Sequence, residues 1–227
     1  FSSSFAVAGE VALVSCGPLT ALSIEDGTIL WQGEEPQSYQ SHSSPAIWNA
    51  GDNQPIAIVN VGGGNTKAYR IADGKKLWQI KSGAGNSTPI VAGDIVLTYG
   101  SSRKSGLSAY RLSADAPEKQ PELAWQFQRA ADSGSTPVVR GDSVFVQGEK
   151  RLAKVNLADG QSVWQTTMKI SNPRYTSLIA AGNQVFFAWE GLLCFRAESD
   201  KYESIYDAEV DSDAMLIGGD DLRKKLK

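Results

Sequence analysis

Residues Ala72–Gln79 read ADGKKLWQ, and the same phrase returns as ADGQSVWQ at Ala158–Gln165 and as EDGTILWQ at Glu25–Gln32. Its closing tryptophan is a marker that recurs at Trp31, Trp78, Trp125 and Trp164, and Tyr206 takes its place in ESDKYESIY, Glu198–Tyr206. The intervals are 47, 47, 39 and 42 residues. Spacings of this size are those of four-stranded propeller blades, about 40–45 residues each.

A second marker runs in phase with the first. Ser or Thr stands before Pro in SSPAI at Ser43, STPIV at Ser87 and STPVV at Ser135, with worn copies in YTSLI at Tyr175 and in SSSFAV near the start. After each copy come a short turn signal, a β-rich run (VALVS, IAIVN, IVLTY, SVFVQ, QVFFA), a second turn and another β-rich run. The Asp-Gly turn and the tryptophan run close the unit. Asp-Gly and Gly-Asp suit tight hairpins because glycine reaches positive φ at low cost. Val, Ile, Phe, Tyr and Thr suit strands, and no segment shows helical periodicity. Four short antiparallel strands per unit, repeated in sequence, predict an all-β fold. A solenoid uses shorter units and a sandwich does not repeat, so the fold is a β-propeller. The expected layout is a single domain over 1–227, with repeats at about 1–40, 41–84, 85–131, 132–171 and 172–210 and a partial sixth at 211–227.

The net charge is −3 with no long block of one sign, so nucleic acid is not an expected partner. No apolar run reaches the roughly 18 residues that cross a bilayer. Cys16 and Cys194 do not make a disulfide framework; buried free thiols are expected, and one bridge stays open. The chain starts at Phe1 in mid-pattern, which reads as a processed or excised piece.

The pattern carried by ALSIEDGTILW, AYRIADGKKLW and KVNLADGQSVW, together with the STP-(I/V)-V element, resembles the repeat of the PQQ-like (pyrroloquinoline-quinone) propellers over essentially the whole chain. The resemblance implies that the marker aromatics, Trp31, Trp78, Trp125, Trp164 and Tyr206, dock each blade on its neighbour. Trp48 and Trp189 lie outside the motif and are free for other uses. Such propellers close with six to eight blades in the family, so five readable repeats imply a partial propeller. Its open edges would be covered by the remaining blades of a parent chain, by a protein partner or by a homodimer.

The family's enzymes use PQQ and calcium. Their vicinal cysteine pair is absent, His42 is the sole histidine, and no G-x-S-x-G occurs, so no catalytic, cofactor or metal residues are assigned and no cofactor is expected. GGGN at Gly62–Asn65 lacks the Lys-Ser/Thr of a phosphate loop and reads as a hairpin turn. The connections between fourth and first strands place Tyr39, His42, Asn86, Asp132, Arg174 and Tyr175 around the channel mouth as candidate contacts with a partner or ligand. The resemblance is to the outer-membrane-assembly propeller lipoproteins and implies a non-catalytic scaffold for protein–protein interaction outside a bacterial cytoplasm. A fragment of a PQQ-dependent dehydrogenase and a sensor domain of a larger protein remain the alternatives.

Overall fold

The computed structural model describes residues 3–34, 42–51, 54–171, 173, 175–189 and 191–209. The candidates Tyr39 and Arg174 and the partial sixth repeat at 211–227 lie outside the described residues.

Among the described residues, twenty strands form five separate four-stranded sheets, and each sheet follows chain order. Blade 1 holds β1 (Ala6–Ala8), β2 (Val11–Ser15), β3 (Leu19–Ser23) and β4 (Ile29–Gln32). Blade 2 holds β5 (Ala46–Ala50), β6 (Gln54–Val61), β7 (Asn65–Arg70) and β8 (Lys76–Ile80). Blade 3 holds β9 (Ile90–Ala92), β10 (Ile95–Tyr99), β11 (Leu107–Arg111) and β12 (Glu122–Phe127). Blade 4 holds β13 (Val138–Arg140), β14 (Ser143–Gly148), β15 (Arg151–Asn156) and β16 (Ser162–Thr167). Blade 5 holds β17 (Leu178–Ala181), β18 (Gln184–Ala188), β19 (Gly191–Arg196) and β20 (Ser204–Glu209). Every described neighbour pairing is antiparallel, as in a β-propeller of four-stranded blades.

The core lies between blades. Leu13 and Ala21 of blade 1 pack with Val59 and Tyr69 of blade 2. Ile58 and Trp78 meet Val96 and Leu112, Leu97 and Trp125 meet Val144 and Val155, and Phe145 and Trp164 meet Val185 and Phe195. Each sheet thus buries one face against the next, which is why strand runs such as IVLTY are apolar on both sides.

The third and fourth strands of all five blades share one irregularity. The register slips just after the residue opposite the marker aromatic, at Ala21, Ala68, Ala109, Lys154 and Cys194. A bulge there re-aims the aromatic while the rest of the strand keeps its pairing. Ala fits the crowded spot in three blades. Lys154 instead runs out to the Ser199 carbonyl of blade 5 (Nζ–O 3.1 Å) and is buried along its length.

Both cysteines are free. Cys194 is buried, and burial raises its thiol pKa. Cys16 is exposed, which corrects the expectation of two buried thiols: it sits in the short β2–β3 hairpin rather than in a strand. Trp48 also departs from its expected freedom. It is 2 % exposed and belongs to the core between blades 2 and 3, because β5 carries it inward beside Ile56 and Ile58. Trp189 is partly buried against the blade 4–5 core and donates from Nε1 to Ser171 Oγ at 2.8 Å.

Candidate functional site

The blade junctions are built from the Asp-Gly turn and the tryptophan of the blade before it. Asp73 Oδ1 accepts the Lys75 N–H at 3.1 Å, and Asp159 Oδ1 accepts the Gln161 N–H at 2.9 Å. These bonds fix the turn, and Gly74 (φ 71°) and Gly160 (φ 74°) complete it. The glycine face then meets an indole. A Cβ on Gly74 would lie 2.6 Å from the Trp31 ring, and one on Gly160 would lie 2.6 Å from the Trp125 ring. Trp31 Nε1 donates to the Ile71 carbonyl at 2.8 Å and Trp125 Nε1 to the Leu157 carbonyl at 2.9 Å, each in the following blade.

Two junctions vary the scheme. Blade 3 replaces Asp-Gly with a longer connection, and there the buried Nε1 of Trp78 has no acceptor among the described residues. Blade 5 offers Tyr202 instead: Trp164 meets its ring edge-on with centroids 5.5 Å apart, and Trp164 Nε1 donates to Ser199 O at 3.2 Å. Tyr206 is 54 % exposed, with no described blade against it.

Closer to the channel, the Ser/Thr-Pro marker forms a ladder. The backbone N–H of Ser4 donates to Ser44 Oγ at 2.9 Å. That of Ser44 donates to Thr88 Oγ1, that of Thr88 to Thr136 Oγ1, and that of Thr136 to Ser177 Oγ, each at 3.1 Å. Every step crosses from one blade to the next. The end of the second strand adds a parallel set. Asn60 Nδ2 donates to Ser87 O and Tyr99 Oη to Gln147 O, both at 2.7 Å, and Gln147 Nε2 donates to Thr176 O at 3.0 Å. Burial, and secondarily the charges of Asp132 and Glu149, pushes the Tyr99 phenol well above its usual pKa.

The described mouth residues fall on this same line of contacts. The His42 N–H points to Asn86 Oδ1 at 3.5 Å, and the Asn86 N–H donates to Ser133 O at 2.7 Å. Asp132 is 6 % exposed, and its Oδ1 accepts the N–H groups of Gly134 (2.8 Å), Ser135 (2.7 Å) and Tyr175 (3.3 Å). Tyr175 itself is 59 % exposed at φ 58°, with its ring over Gly134, where any Cβ would collide. The rim therefore presents His42 and Tyr175 to solvent and spends Asp132 on backbone. The ladder hydroxyls were visible in the sequence only as a marker; nothing in a single chain shows that each reaches its counterpart one repeat later.

Among the described residues no group of three or more His, Cys, Asp or Glu converges. Cys16 and Cys194 sit in blades 1 and 5. No helix is long and apolar enough to cross a membrane among the described residues.

Five four-stranded blades, two of their junctions built on an Asp-Gly turn and a tryptophan, together with a Ser/Thr ladder, define a PQQ-like β-propeller repeat protein. The family described as outer membrane protein assembly factor BamB matches residues 2–166, and the chain belongs to that family. The chain is 26% identical over 184 residues to the BamB of Shewanella oneidensis, covering 75% of this chain and 43% of that one. It is 32% identical over 126 residues to the BamB of Vibrio cholerae, covering 51% and 32%. It spans less than half the length of these curated relatives. Among solved structures, BamB from Moraxella catarrhalis superposes with a TM-score of 0.66 at 18% identity, over 91% of this chain and 61% of that one. The computationally designed Ika8 protein superposes at 0.65 and 13% identity, over 92% and 62%. At these identities the two structures speak for the fold alone.

Proposed function

We propose that this chain is a non-catalytic propeller scaffold that docks other proteins during outer membrane protein assembly, on the extracytoplasmic side of a bacterial envelope. The family match over residues 2–166 carries the reading. Support comes from the use of polar groups at the channel mouth: Asp132, Asn86, Ser135 and Gln147 are engaged in bonds within and between blades. The exposed rim residues His42 and Tyr175 are the proposed contacts.

A photo-crosslinking residue at Tyr175, in the protein expressed in its bacterium, tests the docking role. Adducts with outer-membrane assembly proteins are expected; adducts with cytosolic proteins alone would sink the reading. The exposed thiol of Cys16 reports the compartment. A maleimide that cannot cross the inner membrane should label it once the outer membrane is permeabilised, and labelling only after full lysis would contradict an extracytoplasmic site. Titration with PQQ and calcium, followed by tryptophan fluorescence, addresses catalysis. Saturable stoichiometric quenching would favour the quinoprotein enzyme instead.

A further inference from the structure

The net charge of −3 hides an uneven distribution. Turns joining first to second and third to fourth strands carry carboxylates, among them Asp26, Asp73, Asp94, Asp142 and Asp159. The opposite end of blades 3 and 4 is basic. Arg103 and Lys104 stand on the β10–β11 hairpin, Arg129 just after β12, Lys150 and Arg151 at the β14–β15 hairpin, and Lys169 just after β16. Hydrogen bonds knit them into one patch. Gln128 Nε2 donates to Lys104 O at 2.8 Å, Arg151 Nη1 to Arg129 O at 3.1 Å, and the Met168 N–H to Lys150 O at 2.7 Å. Glu149 is the patch's exposed carboxylate among the described residues. Arg103 Nε donates to it at 2.7 Å, and Arg151 lies 3.7 Å away.

Two further observations mark the place. Glu149 and Lys150 form their two-residue turn at φ 52° and 65°, where Asn-Gly would be relaxed. Strain of this kind, kept for charged side chains, gathers at functional sites. Beside the patch an open groove runs between β12 and β16, lined by Gln126, Gln128, Arg129, Gln161, Val163 and Gln165. β16 is the last strand of its sheet, and its sequence SVWQTT has neither charge nor proline to guard the edge. The edges of the adjacent blades carry charge, Glu122 on β12 and Asp207 on β20, whereas β4 of blade 1 is as bare as β16.

The geometry points to a docking site for an extended acidic polypeptide segment, laid along the β16 edge with its carboxylates on the basic patch. Strand addition to an open edge supplies backbone bonds, and charge supplies orientation. A polypeptide suits the site better than a nucleic acid. The groove offers amides to a peptide backbone, and its lining has no exposed aromatic to stack a base. This surface rests on the protein-docking reading but uses residues other than His42 and Tyr175, so substitutions test the two separately.

The test uses the full chain and a fluorescent peptide of alternating glutamate and threonine. Fluorescence anisotropy should show binding that weakens with added salt, and K104E/K150E should weaken it at least about tenfold, as one desolvated charge contact commands. Reversal on the opposite face, K75E/K201E, should leave binding unchanged. No binding, equal binding by K104E/K150E, or tighter binding of oligothymidylate than of the peptide would each overturn the assignment. Circular dichroism confirms that the variants fold. If the peptide fails while Tyr175 still crosslinks to assembly proteins, the scaffold reading stands and only this surface is lost.

Discussion

Gly74 answers two demands at once. Its φ of 71° favours glycine, and its bare face receives the Trp31 ring. Gly27 has the same backbone (φ 75°) with nothing within 4 Å of its would-be Cβ. Alanine at Gly27 should therefore cost only the left-handed penalty, about 1–2 kcal/mol. Alanine at Gly74 adds overpacking and should cost about 2–4 kcal/mol in total. Equal midpoint shifts in urea would refute the role of the Gly–Trp contact. Tyr99 makes a pH prediction. Its folded pKa lies well above the value near 10 of the unfolded chain, chiefly through burial. Between the two pKa values the unfolded state has released a proton that the folded state keeps, so stability falls as pH rises. Tyr110 and Tyr202 shift the same way. Urea stability should hold below about pH 10 and decline above it. Y99F should shallow that decline; an unchanged slope would assign it elsewhere.

At the scale of the element, the markers sort into different jobs. The Asp-Gly phrase makes the β3–β4 class of turn, and the bulge after the facing small residue aims the aromatic. Strand identities and turns were legible because period, turn chemistry and β-branched runs agree. The Ser/Thr-Pro ladder was legible as a pattern but not as a bond, since each hydroxyl serves a residue 40 to 48 positions away. T136V keeps the shape and removes the acceptor of the Thr88 N–H. A loss of about 1–2 kcal/mol is expected, with faster hydrogen exchange at the Thr88 amide, while T136S keeps both. Undiminished protection in T136V would remove the ladder from the list of blade-joining forces.

At the scale of the whole molecule and among the described residues, the inner junctions are packed and exposed large apolar side chains gather in blades 1 and 5. Phe5, Val7, Ile24, Ile29 and Leu30 of blade 1, and Ile179, Leu192, Ile205 and Tyr206 of blade 5, are exposed, whereas Leu123 and Val163 are the exposed large apolar side chains in blades 2 to 4 among the described residues. Contiguous exposed apolar surface drives association. The isolated chain should self-associate with rising concentration in sedimentation velocity, and I29E/I205E should hold it monomeric. A wild-type chain that stays monomeric throughout would show these faces to be inert.

The sequence alone determined the repeat, the strands of each blade and the family. These depend on local turn chemistry and on spacing, which a linear chain records. Only the tertiary structure decided that Asp132 is spent on three backbone N–H groups, that Trp48 is core and that Cys16 is exposed. It also gathered Arg103, Arg129 and Lys150 into one patch beside a bare edge. Those properties belong to contacts between blades, and burial and charge clustering arise only when residues distant in sequence share a place in space.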